Sequence, residues 1–286
     1  MNQLLLMVFL LIVPAWALDA VKLRTVPSTA TLQGSGATQQ FVALAMGADG
    51  VERDVTAEVQ WQITGNPSLA TIDPAARVAA ASTDGKATVT AKFGTLQAQS
   101  ALTVIGAAKR RPIAFTHDIE AIFTKRGCNG TACHGGVKGR GGFKLSANAL
   151  YPKDDFEWIT KGGGYQVLTS EVKGDRIPRI SLEQPEQSLL LTKATMATPH
   201  GGGRRLEKDS TDYRTLVDWI RGGAPFGEAG AAKLTGLTLD PPLAILPANG
   251  TRRILVTGRF SDGSTEDLTH QVLYTPNDGD VVSVNA

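Results

Sequence analysis

Two cysteines and a histidine share one short stretch, Cys128-Asn129-Gly130-Thr131-Ala132-Cys133-His134, and the chain has no other cysteine. Paired thiols beside an imidazole support several chemistries. They can add across the two vinyl groups of a haem, which leaves the neighbouring His134 as proximal ligand to the iron. They can close a local disulfide, as exported cysteine pairs often do. They can bind zinc with His134, but a structural zinc site needs four ligands and no further Cys-His pair stands at finger spacing. A thioredoxin-like dithiol is spaced Cys-x-x-Cys inside a βαβ unit, and no such unit surrounds this pair. Haem attachment is the preferred reading. Its usual spacing has two intervening residues, and here the extra ones, including the flexible Gly130, would loop outward without separating the sulfurs.

A haem iron has a second axial side. His200, in Pro199-His200-Gly201-Gly202-Gly203, is preferred there because the glycines let backbone approach a flat ring closely. Met196 is the competitor, since methionine is a common sixth ligand in electron-transfer cytochromes; its plain alternative is a gap-filling core residue. His117 is a distant third, at a helix start, and His270 reads as polar surface. Two imidazoles favour ferric iron, and an iron with both axial sites filled passes electrons instead of binding substrate. The chain shows no Ser-His-Asp order, paired-carboxylate motif, phosphate loop or nucleotide fingerprint, so it does not read as an enzyme by itself.

The elements that must position these residues are short. Asp118, Ile119, Ala121, Ile122 and Phe123 fit a helix ending at Gly127, just before Cys128. Tyr213, Leu216, Val217 and Ile220 recur at i, i+3, i+4 and i+7, which predicts a second, closing helix. Asp209 or Ser210 caps its start and Gly222 stops it. A linker at 106–112 and a Gly-rich stretch after Gly222 bound a domain over 113–227.

The flanks of that domain repeat each other. Phe41 to Ala45 leads to Asp49-Gly50, Asp54-Val55-Thr56 and Trp61; Ile254 to Gly258 leads at identical spacings to Asp262-Gly263, Asp267-Leu268-Thr269 and Tyr274. Both copies alternate apolar residues as half-buried strands do, with Asp-Gly hairpin turns. The first copy, 20–105, predicts a β-sandwich. The second, 234–286, stops just after Val284, the counterpart of Ile72, and so reads as truncated and the chain as a fragment of a longer protein.

The termini and composition fix the setting. Leu4 to Val13 is an apolar run of signal-peptide length, and Ala15-Trp16-Ala17 offers small residues for cleavage after Ala17. The sequence therefore predicts a signal peptide at 1–17 and a periplasmic, surface or secreted location. Membrane contact would come only through an uncleaved signal anchor. With 29 Lys plus Arg against 27 Asp plus Glu among 286 residues, no basic field calls for nucleic acid.

The central segment resembles a known family, the planctomycete-type cytochrome c domain of large exported proteins that also carry bacterial Ig-like group 2 repeats. The resemblance rests on Gly127-Cys128-Asn129 through Cys133-His134-Gly135, Gly142 to Ser146, Ser188 to Leu191, Pro199 to Gly203, and Tyr213-Arg214 with Asp218-Trp219-Ile220. The turn–Asp–hydrophobic–Thr pattern of the flanks is similar to Ig-like group 2 domains. Together these imply all-β Ig-like sandwiches flanking a mainly α cytochrome-c-like domain with one covalent haem c, acting in electron transfer with a redox partner protein or a missing catalytic domain. They also imply that Arg176 and Arg179 neutralise haem propionates; loop solvation is the plain alternative. The runner-up function is a non-haem surface protein of Ig-like repeats, adhesive or structural, with a Cys128–Cys133 disulfide.

Overall fold

Alternation of apolar and polar residues gives the N-terminal segment its strands, and the computed structural model, which describes residues 20–162, 177–228, 230–246 and 248–285, shows them paired. The proposed signal peptide lies outside the described residues. β1 (Ala20–Val26), β4 (Val42–Gly47) and β5 (Glu52–Asp54) form one antiparallel sheet in the order β1-β4-β5. A second sheet has the order β2-β10-β9-β6, from β2 (Thr29–Gln33), β6 (Gln60–Thr64), β9 (Gly85–Phe93) and β10 (Leu96–Ile105). β2 pairs parallel to β10, and the other pairs are antiparallel. A third, small sheet runs β3 (Thr38–Gln40), β8 (Arg77–Ala80), β7 (Ala70–Ile72).

The first two sheets face each other across Leu23, Ala43, Ala45, Ala91 and Phe93. A larger core around Phe41, Leu69, Val78, Val89 and Leu102 fills the other end. Small residues dominate the interface, so the layers approach closely.

The second repeat forms its own three-stranded sheet: β11 (Leu234–Asp240), β12 (Leu255–Phe260) and β13 (Thr265–Asp267) in that order. The equivalence extends to single bonds. Trp61 Nε1 donates to the Thr56 carbonyl at 3.0 Å, and Tyr274 Oη donates to the Thr269 carbonyl at 2.9 Å. The turns behave alike too: Gly50 has φ 74° and Gly263 φ 83°, which a glycine adopts without strain.

The chain divides into two compact units. One comprises the residues through Arg111 with Gly236–Arg259 and Ser264–Asp267; the other comprises Pro112–Thr235, Phe260–Gly263 and Leu268–Ala286. Within the first, β12 packs Leu255 against Val26, Val42 and Leu44. Arg253 also pairs with Asp54 at 2.9 Å, and the Gln40 amide donates to Asp267 at 2.5 Å.

The central segment corrects the expected fold class. It is not a mainly α, cytochrome-c-like domain between sandwiches. Its α-helices, among the described residues, are α1 (Glu120–Lys125), α2 (Pro152–Thr160), α3 (Leu189–Ala194) and α4 (Thr211–Arg221), of 6, 9, 6 and 11 residues, and most of its described residues are turn and loop. The described chain as a whole is mostly β, with thirteen strands in four sheets. Glycine is the physical reason. Gly127, Gly139, Gly142, Gly162 and Gly203 all take positive φ, which a right-handed helix cannot continue through.

What holds this loop-rich unit together is an aromatic core. Phe115, in a single π-helical turn before α1, packs its ring near those of Phe123, Phe156, Trp219 and Phe226. Trp219 is fully buried, and its Nε1 donates to the Pro225 carbonyl at 2.9 Å. α4 runs where its periodicity predicts, with the Ser210 hydroxyl accepting from the Tyr213 amide and Gly222 following its last residue.

Candidate binding pocket

The end of α1 places the first cysteine. Gly127 takes φ 71°, the Cys128 amide reaches back to the Phe123 carbonyl at 2.8 Å, and the Gly127 amide reaches the Thr124 carbonyl at 3.0 Å. This is a Schellman closure, which satisfies the last helical carbonyls and turns the chain sharply. The following loop folds on itself: the Cys133 and Gly135 amides both donate to the Gly130 carbonyl, and the His134 amide donates to the Cys128 carbonyl. Asn129, buried inside the loop, donates its side-chain amide to Thr124 Oγ1 at 2.8 Å. The crossing is too close for side chains: a Cβ on Gly135 would lie 2.0 Å from the Asn129 carbonyl oxygen.

Cys128, Cys133, His134, Arg179 and His200 all line one cavity of about 400 Å³. Phe123, Phe143, Leu145, Leu189 and Leu190 supply its apolar wall. Both thiols are free. Burial, above all, pushes the Cys128 thiol up to about 11, with the nearby Cys133 adding to the rise and Arg205 opposing it. It is therefore a neutral thiol near pH 7, not an activated nucleophile.

The two histidines are arranged alike. His134 Nδ1 lies 3.0 Å from the Phe143 carbonyl oxygen, and His200 Nδ1 lies 2.8 Å from that of Gly203. A carbonyl only accepts, so Nδ1 carries the proton in both rings and each Nε2 keeps its lone pair. The rings are 6.2 Å apart between centroids and inclined by 14°. Burial lowers the proton affinity of His134, and the charges of His200 and Arg179 push the same way, against the Phe143 and Arg140 carbonyls.

The charge lining the cavity is one-sided. Arg140, Arg179, Lys193 and Arg205 contribute to its wall, and among the described residues no Asp or Glu does. Arg179 lies over the Phe143 ring at 5.2 Å, and among the described residues its buried Nε finds no hydrogen-bond partner. Lys193 Nζ donates to the Pro199 carbonyl and Arg205 Nε to that of Gly202. Four cations beside apolar walls make a strong local field.

Some expected site residues are absent from this assembly. Met196 does not line the cavity and is exposed, and Arg176 lies outside the described residues. Sequence reasoning missed Arg140, Lys193 and Arg205. Arg140 had a local signal, an arginine set among Gly139, Gly141 and Gly142; the other two became visible only on folding.

The expectation of one covalent haem c is corrected. The cysteines do not have the Cys-x-x-Cys-His spacing of haem attachment, having four residues between them. Among the described residues no group of three or more His, Cys, Asp or Glu side chains gathers to hold a metal ion.

No family model and no curated protein matches the chain. Among solved structures it is similar to the crystal structure of human protocadherin-24 EC1-2, with 19% identity and a TM-score of 0.22 over 30% of this chain and 43% of that one. So slight a likeness carries no argument. Among the described residues no helix is long and apolar enough to cross a membrane.

Proposed function

We propose that the unit built on residues 112–227 is a binding domain for a flat organic anion, displayed outside the cytoplasm alongside Ig-like β-modules. One observation carries this reading: among the described residues, a cavity with apolar walls and two nearly parallel imidazoles is lined by four cationic side chains and no acidic one. An apolar guest without charge would leave Arg179 Nε desolvated and unpaired, at a cost of about 1–3 kcal/mol. A carboxylate or phosphate on the guest offsets that cost, with charge-assisted bonds to the guanidinium forks. The flat face would lie against the apolar walls, and the Nε2 lone pairs of His134 and His200 accept from any N–H or O–H the guest presents. The electron-transfer role expected from the sequence belongs to this reading for a redox-active guest, with a redox partner protein receiving its electrons.

The test uses the folded chain and a flat anionic dye, anilinonaphthalene sulfonate, beside a planar cationic dye of similar size. Saturable fluorescence enhancement with the anion alone supports the reading, provided that it weakens at least tenfold in Arg179→Gln and falls with added salt. Equal binding of the cation, or no saturable binding of the anion, overturns it.

A further inference from the structure

A pair of carboxyl groups is buried behind the cavity wall without lining the cavity. Glu120 on α1 is 3% exposed and Asp155 on α2 is 0% exposed. Both oxygens of Asp155 already accept: Oδ1 takes the Ser146 amide and Oδ2 the Ser146 hydroxyl, each at 2.5 Å. Among the described residues the Glu120 oxygens find no well-formed hydrogen bond, and after burial itself Asp155 is the group that acts on them. Two carboxylates in one buried place repel, so the pair keeps a proton. Asp155 accepts at both oxygens, which puts that proton on Glu120. The charged groups on the surrounding elements are paired or exposed. Lys125 and Arg126, at the end of α1, pair with Asp212 of α4. In the π-helical turn packed on α1, His117 and Asp118 pair at 3.1 Å. Lys153, Asp154, Glu157 and Lys161 on or beside α2 are exposed, and the 3-10 turn Ala147–Ala149 packed on α1 carries no charge.

Ser146 ends the stretch of wall that holds His134. Leu145, fully buried and lining the cavity, donates its amide to the His134 carbonyl at 2.9 Å. Phe143 offers the carbonyl that pins His134 Nδ1, and Arg179 lies over its ring. Asp155 thus anchors one end of residues 143–146, and those residues position two of the polar groups of the cavity. Given the anion-binding reading of that cavity, on which this rests, we infer that the Glu120–Asp155 pair regulates the cavity through its proton: the protonated pair holds residues 143–146 and the guest, and loss of the proton frees both. A second negative charge in that buried place repels the first. The relief open to Asp155 is to turn toward water, which gives up both bonds to Ser146. Burial first, then Asp155, pushes the Glu120 carboxyl up to about 9, so binding is full at neutral pH and lost as pH rises through that value. By reciprocity a bound guest makes the proton harder to remove.

The probe is anilinonaphthalene sulfonate, titrated into the full chain from pH 7 to pH 10. The dye Kd is expected to rise roughly fivefold or more over that range in the wild type and less than about twofold in Glu120→Gln. Pocket cations titrate alike in both proteins, so the difference between them isolates Glu120. Should Glu120→Gln fail to fold, Glu120→Leu takes its place. In the wild type alone, the infrared band of a protonated carboxyl is expected to vanish at the pH midpoint of dye release. Equal pH dependence in the two proteins, a flat wild-type profile, or midpoints more than about one pH unit apart overturns the inference and leaves the binding reading standing. Circular dichroism showing that release coincides with unfolding of the whole chain does the same. No saturable dye binding at pH 7 overturns the binding reading itself, and the proton control with it.

Discussion

His134 and His200, sixty-six positions apart by their numbers, lie with their rings 14° from parallel, and each is pinned through Nδ1 to a backbone carbonyl. The pinning decides their chemistry. Long-range nitrogen–proton spectra at pH 8 are expected to show Nδ1–H and bare Nε2 on both rings; an Nε2–H pattern would contradict the geometry. The proton affinity of His134 is lowered from its ordinary value of 6.5. The native state therefore favours the neutral ring, and its contribution to stability is present above that value and lost as pH falls below it.

Glu120 titrates in the opposite sense. Its carboxyl is buried on α1 without a well-formed hydrogen bond, and burial first, then the adjacent Asp155, pushes its pKa up to about 9. A folded-state value above the unfolded one means stability is full below pH 4.5 and declines as pH rises toward 9. Glu120→Gln should remove the decline and raise stability at pH 8 by a few kcal/mol, read as a higher Tm there and little change at pH 4. Parallel Tm–pH curves for the two proteins would refute this.

Asp212 ties the two helices that frame the pocket loop. Its carboxylate, largely buried in the first turn of α4, takes Lys125 at 3.0 Å and also pairs with Arg126. Asp212→Ala leaves two cations beside each other with their acceptor gone. A loss of about 3 kcal/mol is expected from urea titration, typical of removing one partner from a buried ionic cluster. A change below about 0.5 kcal/mol would mean the pairs are solvated in solution.

Gly135→Ala should be the most damaging small change in the loop. The added methyl would sit 2.0 Å from the Asn129 carbonyl oxygen, and backbone on both sides cannot move without opening the Cys128–Cys133 turn. Loss of about 3 kcal/mol or more, with a matching loss of anionic-dye binding, is expected. Gly141→Ala has nothing within 4 Å of its Cβ, so it probes strain alone at φ 65° and should cost about 1 kcal/mol. Equal effects would show that crowding is not the cause.

Trp61 and Tyr274 test the repeat itself. Each donates to the threonine carbonyl five residues before it. Trp61→Phe and Tyr274→Phe should each cost about 1 kcal/mol for the lost bond. An effect at one site only would mean that the copies share sequence without sharing energetics.

Several features were legible in the residues because they depend on near neighbours. Alternation along 20–105 and identical spacings in the two copies announced β-modules, since strand periodicity is set by the backbone pleat. Ser210, the i, i+3, i+4, i+7 apolar residues and Gly222 marked α4, since caps and faces act within a turn or two. The same local logic failed where glycine interrupts it. A helix before Cys128 and another before Gly222 were read as the frame of a mainly α domain, yet left-handed glycines between them made that frame mostly loop.

The sequence by itself determined the repeat, the strand and helix faces, the cysteine spacing and the balance of charge, because each is a pattern of types and intervals along one dimension. Only the tertiary structure decided that His134 meets His200 and that Met196 stays outside. It also decided that four cations gather at one cavity with no carboxylate among the described lining residues, and that Glu120 is buried beside Asp155. Those outcomes follow from how loops of many residues close and pack. Closure depends on the summed burial and hydrogen bonding of the whole unit, and no window along the chain contains that sum.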